Sequence, residues 1–178
     1  MAAVSALPPS PVPLRPVEFD TTLIEDCRLG KPLAIQSFVQ HHQRMVFAFL
    51  GRLLGPQTVV EDIAQEVFVR ALHALPRFDT SGPARISTWL LTIASRLSVD
   101  EMRRAPRRPV DAEARPETPA NSDGPEALHQ RRELARAMTT AVYSLSHDQR
   151  EAFILVEIHG LSMEELAEVT RVPVGTAK

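Results

Sequence analysis

Cysteine is nearly absent. Cys27 alone, in 178 residues, has no partner for an internal disulfide and belongs to no multi-cysteine metal site. Glycine is scarce at seven residues, too few for the turn-rich chemistry of a hairpin protein. No apolar run approaches the roughly 20 residues that span a bilayer. The opening MAAVSALPPSPVPLRP lacks both a basic leader and an apolar centre, so no signal peptide is expected. Twenty Lys and Arg against 22 Asp and Glu leave a net charge of −2, which excludes a uniformly basic coat. What remains is a soluble chain, expected in the cytoplasm, with 44% apolar residues from which to build cores.

Proline divides the chain. Of 15 prolines, five fall in residues 1–16 and five more in residues 105–125. The first group reads as a disordered, Pro-rich tail over 1–18. The second, APRRPVDAEARPETPANSDGP, has almost no large apolar side chain and cannot offset its ordering entropy, so 105–125 reads as a flexible linker. Two domains are expected, at 19–104 and 126–178. The linker's extended reach is at most roughly 70–80 Å, while a coil of its length averages about 25–28 Å between ends. The free chain can therefore fold back on itself and cover its own working faces.

Both domains read as all-α. Val60, Ile63, Ala64, Val67, Phe68, Ala71, Leu72 and Leu75 form one stripe at helical spacing, with Glu61, Asp62, Gln65, Glu66 and Arg70 opposite. Helical runs are also expected over 22–29, 33–54 and 88–104, the last carrying Trp89, Leu90, Ile93 and Leu97. RFDTSGPARIS between them is a loop. The first domain is thus a bundle of about four helices. In the second, Ser146-x-x-Gln149 and Ser162-x-x-Glu165 are capping boxes, His159-Gly160 ends the first helix, and Pro173 opens a third. That order of short helices is a helix-turn-helix pattern, one also found in domains that never meet DNA.

Three sets of residues invite function. Arg96, Arg103, Arg104, Arg107 and Arg108 lie within 13 residues, opposed only by Asp100 and Glu101. Arg96, Asp100, Arg103 and Arg104 share one helical face. Such a local positive field suits phosphates, or merely complements a helix C-terminus. Trp89, the single tryptophan, is either a core anchor or an aromatic beside a loop that holds an unstacked base. Asp62, Gln65 and Glu66 share an exposed face, either an ordinary wet surface or a dock for an Arg-bearing helix.

EDIAQEVFVRAL, a loop, STWLLTIASRLSVDEMRR, a Pro-rich linker and LSHDQREAFILVEIHGLSMEELAEVTRVPVGTAK resemble, in that order, a bacterial sigma factor of the extracytoplasmic-function group. The likeness runs from about Phe19 to Lys178. It implies that Asp62, Gln65, Glu66 and Phe68 face core RNA polymerase at the β′ clamp helices, with the β subunit also a partner. Phe68 is alternatively core. It implies that the loop from Arg77 to Ser87 and the helix at Trp89 recognise and open the −10 promoter element, holding a flipped base. By the same resemblance Arg96, Asp100, Arg103 and Arg104 meet −10 DNA, and Arg107 and Arg108 follow its backbone. The second domain resembles the −35 reader, with Thr176 and Lys178 in the first turn of its recognition helix. An anti-sigma partner is implied as well.

Two departures stand out. Arg96 occupies a position where the group usually has Asn. The chain stops at Gly175-Thr176-Ala177-Lys178, where the family's recognition helix continues with a basic stretch. Residues 126–178 hold six Lys and Arg against eight Asp and Glu, a poor balance for approaching phosphates. A truncated end, or a weakened −35 contact, is expected. The alternatives are a helix-turn-helix regulator that binds DNA without polymerase, and a sigma-like decoy defective in promoter recognition. No enzyme is expected, and neither cofactor nor metal. His41-His42 are adjacent rather than one turn apart, and neither a Gly-rich phosphate loop nor a nucleophile elbow occurs.

Overall fold

A computed structural model describes residues 21–55, 59–82, 84–104 and 125–177. Among them every regular element is helical. The first unit has four helices: α1 (Thr21–Arg28), α2 (Pro32–Leu54), α3 (Val59–Ala74) and α4 (Ile86–Arg104). A single 3₁₀ turn, Leu75–Arg77, continues α3 toward the loop that leads into α4.

Helix α2 opens with Pro32 in its first turn, where the missing N–H costs nothing. It closes at Gly55, whose φ of 85° lets its N–H return to the Gly51 carbonyl at 3.0 Å. Phe38, Val46, Phe49, Leu50 and Leu53 fall on one helical face of α2 and are fully buried. Ala64, Val67 and Ala71 of α3 and Leu90, Leu91 and Ala94 of α4 meet them. The core also takes in His42, whose Nδ1 lies 2.9 Å from the Phe38 carbonyl. Helix α4 buries several small polar residues, and their hydroxyls bond back along the helix: Thr92 Oγ1 to the Thr88 carbonyl at 3.0 Å, Ser98 Oγ to the Ser95 carbonyl at 2.7 Å.

The second unit comprises α5 (Pro125–Ser144), α6 (His147–Phe153), α7 (Met163–Thr170) and the four-residue α8 (Val174–Ala177). Helix α6 continues through a π-helical turn, Ile154–Ile158. Both capping boxes form: the Ser146 hydroxyl accepts from the Gln149 N–H and the Ser162 hydroxyl from the Glu165 N–H, while the Gln149 and Glu165 side chains accept in return from the Ser146 and Ser162 N–H groups. Gly160, at φ 68°, turns the chain in the left-handed region, and the Leu161 N–H closes onto the Leu155 carbonyl at 3.1 Å. Arg171 caps α7 at φ 58°, a conformation strained for a residue with a Cβ. Helices α7 and α8 around that turn are the helix-turn-helix.

The α5 helix was not anticipated. It has 20 residues, and its apolar positions Leu134 and Met138 are 55% and 56% exposed, so they face solvent rather than a core. Helix α4 begins at Ile86, two residues before the expected start, because Ile86, Ser87 and Thr88 are all buried.

The two units touch. Helix α7 packs on α4, and α6 with its π turn packs on α2. Ile154, Leu155, Leu161, Leu166 and Val169 of the second unit join one continuous core with the first. Polar groups bridge the seam too. Buried Glu151 of α6 accepts a hydrogen bond from Ser95 of α4, and the His159 ring stands edge-on to Phe49 at 5.9 Å.

Candidate functional site

Helix α3 presents Asp62 and Gln65 to solvent, with Glu66 half-exposed and bonded to Arg70 at 2.6 Å. Both members of that ion pair are about half exposed, so it adds little stability. Val69, 48% exposed, continues the same face one turn on and was not singled out from the sequence. Phe68 is different. It is 7% exposed and stands edge-on to Phe38 at 6.5 Å, so it is a core residue beneath this face rather than a surface contact.

A second feature lies at the other end of α3. The 3₁₀ turn, the loop after it and the start of α4 surround an open hollow of about 430 Å³. Arg77, Phe78, Asp79, Gly82 and Trp89 line it. The Phe78 and Trp89 rings meet at 4.9 Å between centroids, tilted by 39°, leaving Trp89 half-buried. Asp79 folds the loop into an Asx turn: its Oδ1 accepts from the Ser81 N–H at 2.9 Å and from the Ser81 hydroxyl at 2.6 Å. Those two bonds hold its carboxyl below the ordinary value. The arrangement offers a planar ligand two aromatic faces at the rim of a polar loop. The sequence marks the loop without singling out Phe78 and Asp79. The signal was an aromatic followed by an Asp-x-Ser turn.

From Trp89, α4 runs to a cationic end. Arg96, Asp100, Arg103 and Arg104 are all exposed. Partial burial, and secondarily the neighbouring Arg171 of the second unit, hold the Arg96 guanidinium below its ordinary value. Arg107 and Arg108 lie outside the described residues.

Helix α7 approaches this surface with acids. Thr88 Oγ1 donates to Glu165 Oε1 at 3.0 Å, and Glu168 lines the hollow beside Trp89. Thr88 is in the first turn of α4, where the helix dipole favours a carboxylate. Thr176 falls within α8, where Val174 and Gly175 are exposed, and Lys178 lies outside the described residues. Among the described residues no group of three or more His, Cys, Asp and Glu is placed to hold a metal ion, and no helix is long and apolar enough to cross a membrane.

Comparison with known proteins fits this geometry. Residues 38–108 match the family Sigma-70 region 2, which takes in the α3 face, the hollow and the cationic end of α4. Residues 135–178 match Sigma-70, region 4, which takes in the helix-turn-helix. The ECF RNA polymerase sigma factor SigC of Mycobacterium tuberculosis is 36% identical over 160 residues, 89% of this chain and 83% of that protein. The ECF RNA polymerase sigma-E factor of Escherichia coli K12 is 33% identical over 168 residues, covering 89% and 86%. The solved structure of CnrH in complex with the cytosolic domain of CnrY superposes with a TM-score of 0.60 at 29% identity, over 88% of this chain and 85% of that one. The chain belongs to the sigma-70 family of RNA polymerase sigma factors, in the extracytoplasmic-function group. Its function is that of a sigma factor, directing transcription initiation to promoters.

Proposed function

We propose that the work is divided among three faces of the chain. The exposed Asp62, Gln65, Glu66 and Val69 of α3 dock on core RNA polymerase, at the β′ clamp helices, with Phe68 holding that helix from beneath. The hollow beside Trp89 and Phe78 receives a base turned out of the −10 non-template strand, and Arg96, Arg103 and Arg104, with Arg107 and Arg108 beyond, neutralise its phosphates. Asp100 shares that face. The helix opening at Val174 reads the −35 element in the major groove, with Thr176 and Lys178 as its contact residues. The polymerase supplies the chemistry of RNA synthesis; this chain supplies address and strand opening, without a cofactor.

The observation that carries the reading is one aromatic-walled hollow in line with a row of exposed arginines on the same helix. Flipping a base costs a few kcal/mol of stacking, and contact with an aromatic face returns about 1–3 kcal/mol. The contacts between α7 and α4 cover part of this surface, so the chain opens when polymerase spreads its two units along a promoter. A protein inhibitor of anti-sigma type would hold the chain away from polymerase, as the neighbour solved with the cytosolic domain of CnrY suggests by analogy. Mixing the full chain with core polymerase and separating by size tests the docking step. Co-elution is expected, and a chain that elutes alone fits a regulator acting without polymerase.

A further inference from the structure

Helix α1 lines no part of the hollow, yet one of its side chains bonds the backbone of Phe78, which does. Arg28 sits in the last turn of α1 with its side chain 20% exposed. Its Nε donates to the Leu75 carbonyl at 3.2 Å, and a terminal N–H donates to the Phe78 carbonyl. Those two carbonyls are the first residue of the 3₁₀ turn and the residue that follows it. The Phe78 N–H also returns to the Leu75 carbonyl, at 3.1 Å, so three bonds tie this turn to itself and to α1. Glu25, one turn back, holds the guanidinium from the other side. Past the turn Phe78 is extended, its ring placed on Trp89, and the chain enters the Asp79 Asx turn.

We propose that Arg28 is a positioning residue for the base-holding hollow, fixing the Phe78 backbone so that its ring and Trp89 form one site for a single nucleobase. The proposal rests on the hollow being a base site. A guanidinium suits the task because its rigid fork reaches two acceptors at once, whereas the ammonium of lysine is a point charge on a flexible stem. Arg28 touches no substrate in this account. It acts through the backbone of the turn, at the Leu75 and Phe78 carbonyls, with its charge also felt by Asp79.

The test uses holoenzyme assembled from the full chain and core polymerase. The probes are fluorescein-labelled single-stranded decamers, (dA)10, (dC)10 and (dT)10, and an abasic deoxyribose-phosphate decamer. The ratio of the best base-bearing affinity to the abasic affinity reports base capture apart from phosphate contact. For the wild type this ratio is expected to be about fivefold or more, the scale of one stacked base. Arg28→Lys and Arg28→Gln should bring it close to unity with abasic and core-polymerase affinities unchanged within about twofold, and Trp89→Ala should bring the ratio close to unity as well. If Trp89→Ala lowers the ratio and neither Arg28 variant does, the role of Arg28 is overturned and the hollow stands. If Trp89→Ala leaves it unchanged, the hollow is not a base site and both readings fall. Loss of core-polymerase affinity in both Arg28 variants also overturns the proposal, since Arg28 would then support the whole unit.

Discussion

Arg150 of α6 reaches across the seam between the two units: its Nη1 lies 3.2 Å from the carbonyl of Leu53, in the last turn of α2. The same guanidinium donates to the carbonyls of Val142, Tyr143 and Leu145, at 3.2, 2.8 and 3.2 Å, where α5 ends. It also stands 4.8 Å from the centroid of the Tyr143 ring. One side chain therefore caps two helix C-termini, each with carbonyls that lack an intrahelical partner. Burial lowers its pKa, partly offset by Tyr143. Arg150→Ala should cost about 2–3 kcal/mol in urea unfolding, because carbonyls in a partly buried seam lose charge-assisted donors. Arg150→Lys should recover less than half of that, having no fork. Unfolding curves that superimpose on the wild type would remove this residue from the account.

Thr88 and Glu165 make the companion contact beside the hollow. Thr88→Val removes the hydroxyl and leaves the Ser162–Glu165 capping box intact, so it weakens only the seam. The expected loss is about 1 kcal/mol, enough to raise the open fraction several-fold. Fluorescence energy transfer between labels on α3 and α7 should show longer separations in Thr88→Val than in the wild type. Identical transfer would mean that this hydrogen bond does not help to close the chain.

Acidity should loosen the fold. His159 is fully buried, with no hydrogen-bond partner for either ring nitrogen, and burial, aided by Arg52, lowers its pKa from 6.5 to about 4. Burial likewise lowers His42 to about 4. A base whose pKa is depressed on folding contributes fully above the unfolded value and loses that contribution as pH falls from about 6.5 toward 4. Each ring then forfeits about 3 kcal/mol by pH 4. Glu151 runs the other way. Burial raises its carboxyl, so its contribution is greatest at low pH and is lost as pH rises through its raised pKa. Chemical unfolding from pH 7.5 to 4.5 should show stability falling. His159→Phe should flatten that fall, and Glu151→Gln should steepen it. A profile that is flat across this range in Glu151→Gln, where that offset is gone, would contradict the burial of both histidines.

Much of this architecture was legible beforehand. The α3 stripe, the two capping boxes, Gly160 and Pro173 are local signals, set by helical periodicity and orphan backbone groups, and they form as read. Helix α5 was missed because it rests on the propensity of Ala, Leu, Glu and Arg rather than on a buried face. The π turn at Ile154–Ile158 carries no composition cue. The seam was illegible in a different way. Arg150 and Leu53 are 97 residues apart, and Thr88 and Glu165 are 77 apart, and no local pattern joins such pairs. The excess of acid in residues 126–178, which suits phosphate contact poorly, gains a physical role here: Glu165 and Glu168 lie against the start of α4 and the hollow.

Salt dependence separates the phosphate contacts from the base site. If Arg96, Arg103, Arg104, Arg107 and Arg108 each neutralise one phosphate, together they should account for about 4 to 5 of the negative log–log slope of holoenzyme binding to promoter DNA. Arg103→Ala should make it shallower by about one, uniformly across sequences. A slope indifferent to all five arginines would place the DNA elsewhere.

The most direct measurement is transcription in vitro. Core polymerase is given genomic DNA from the source of this sequence, with and without the full chain, and the RNA 5′ ends are mapped. Addition of the chain should create a discrete set of start sites sharing common upstream elements, and Asp62→Lys with Glu66→Lys should abolish that set. Unchanged 5′ ends, together with a chain that never co-purifies with the polymerase, would contradict the account at its root.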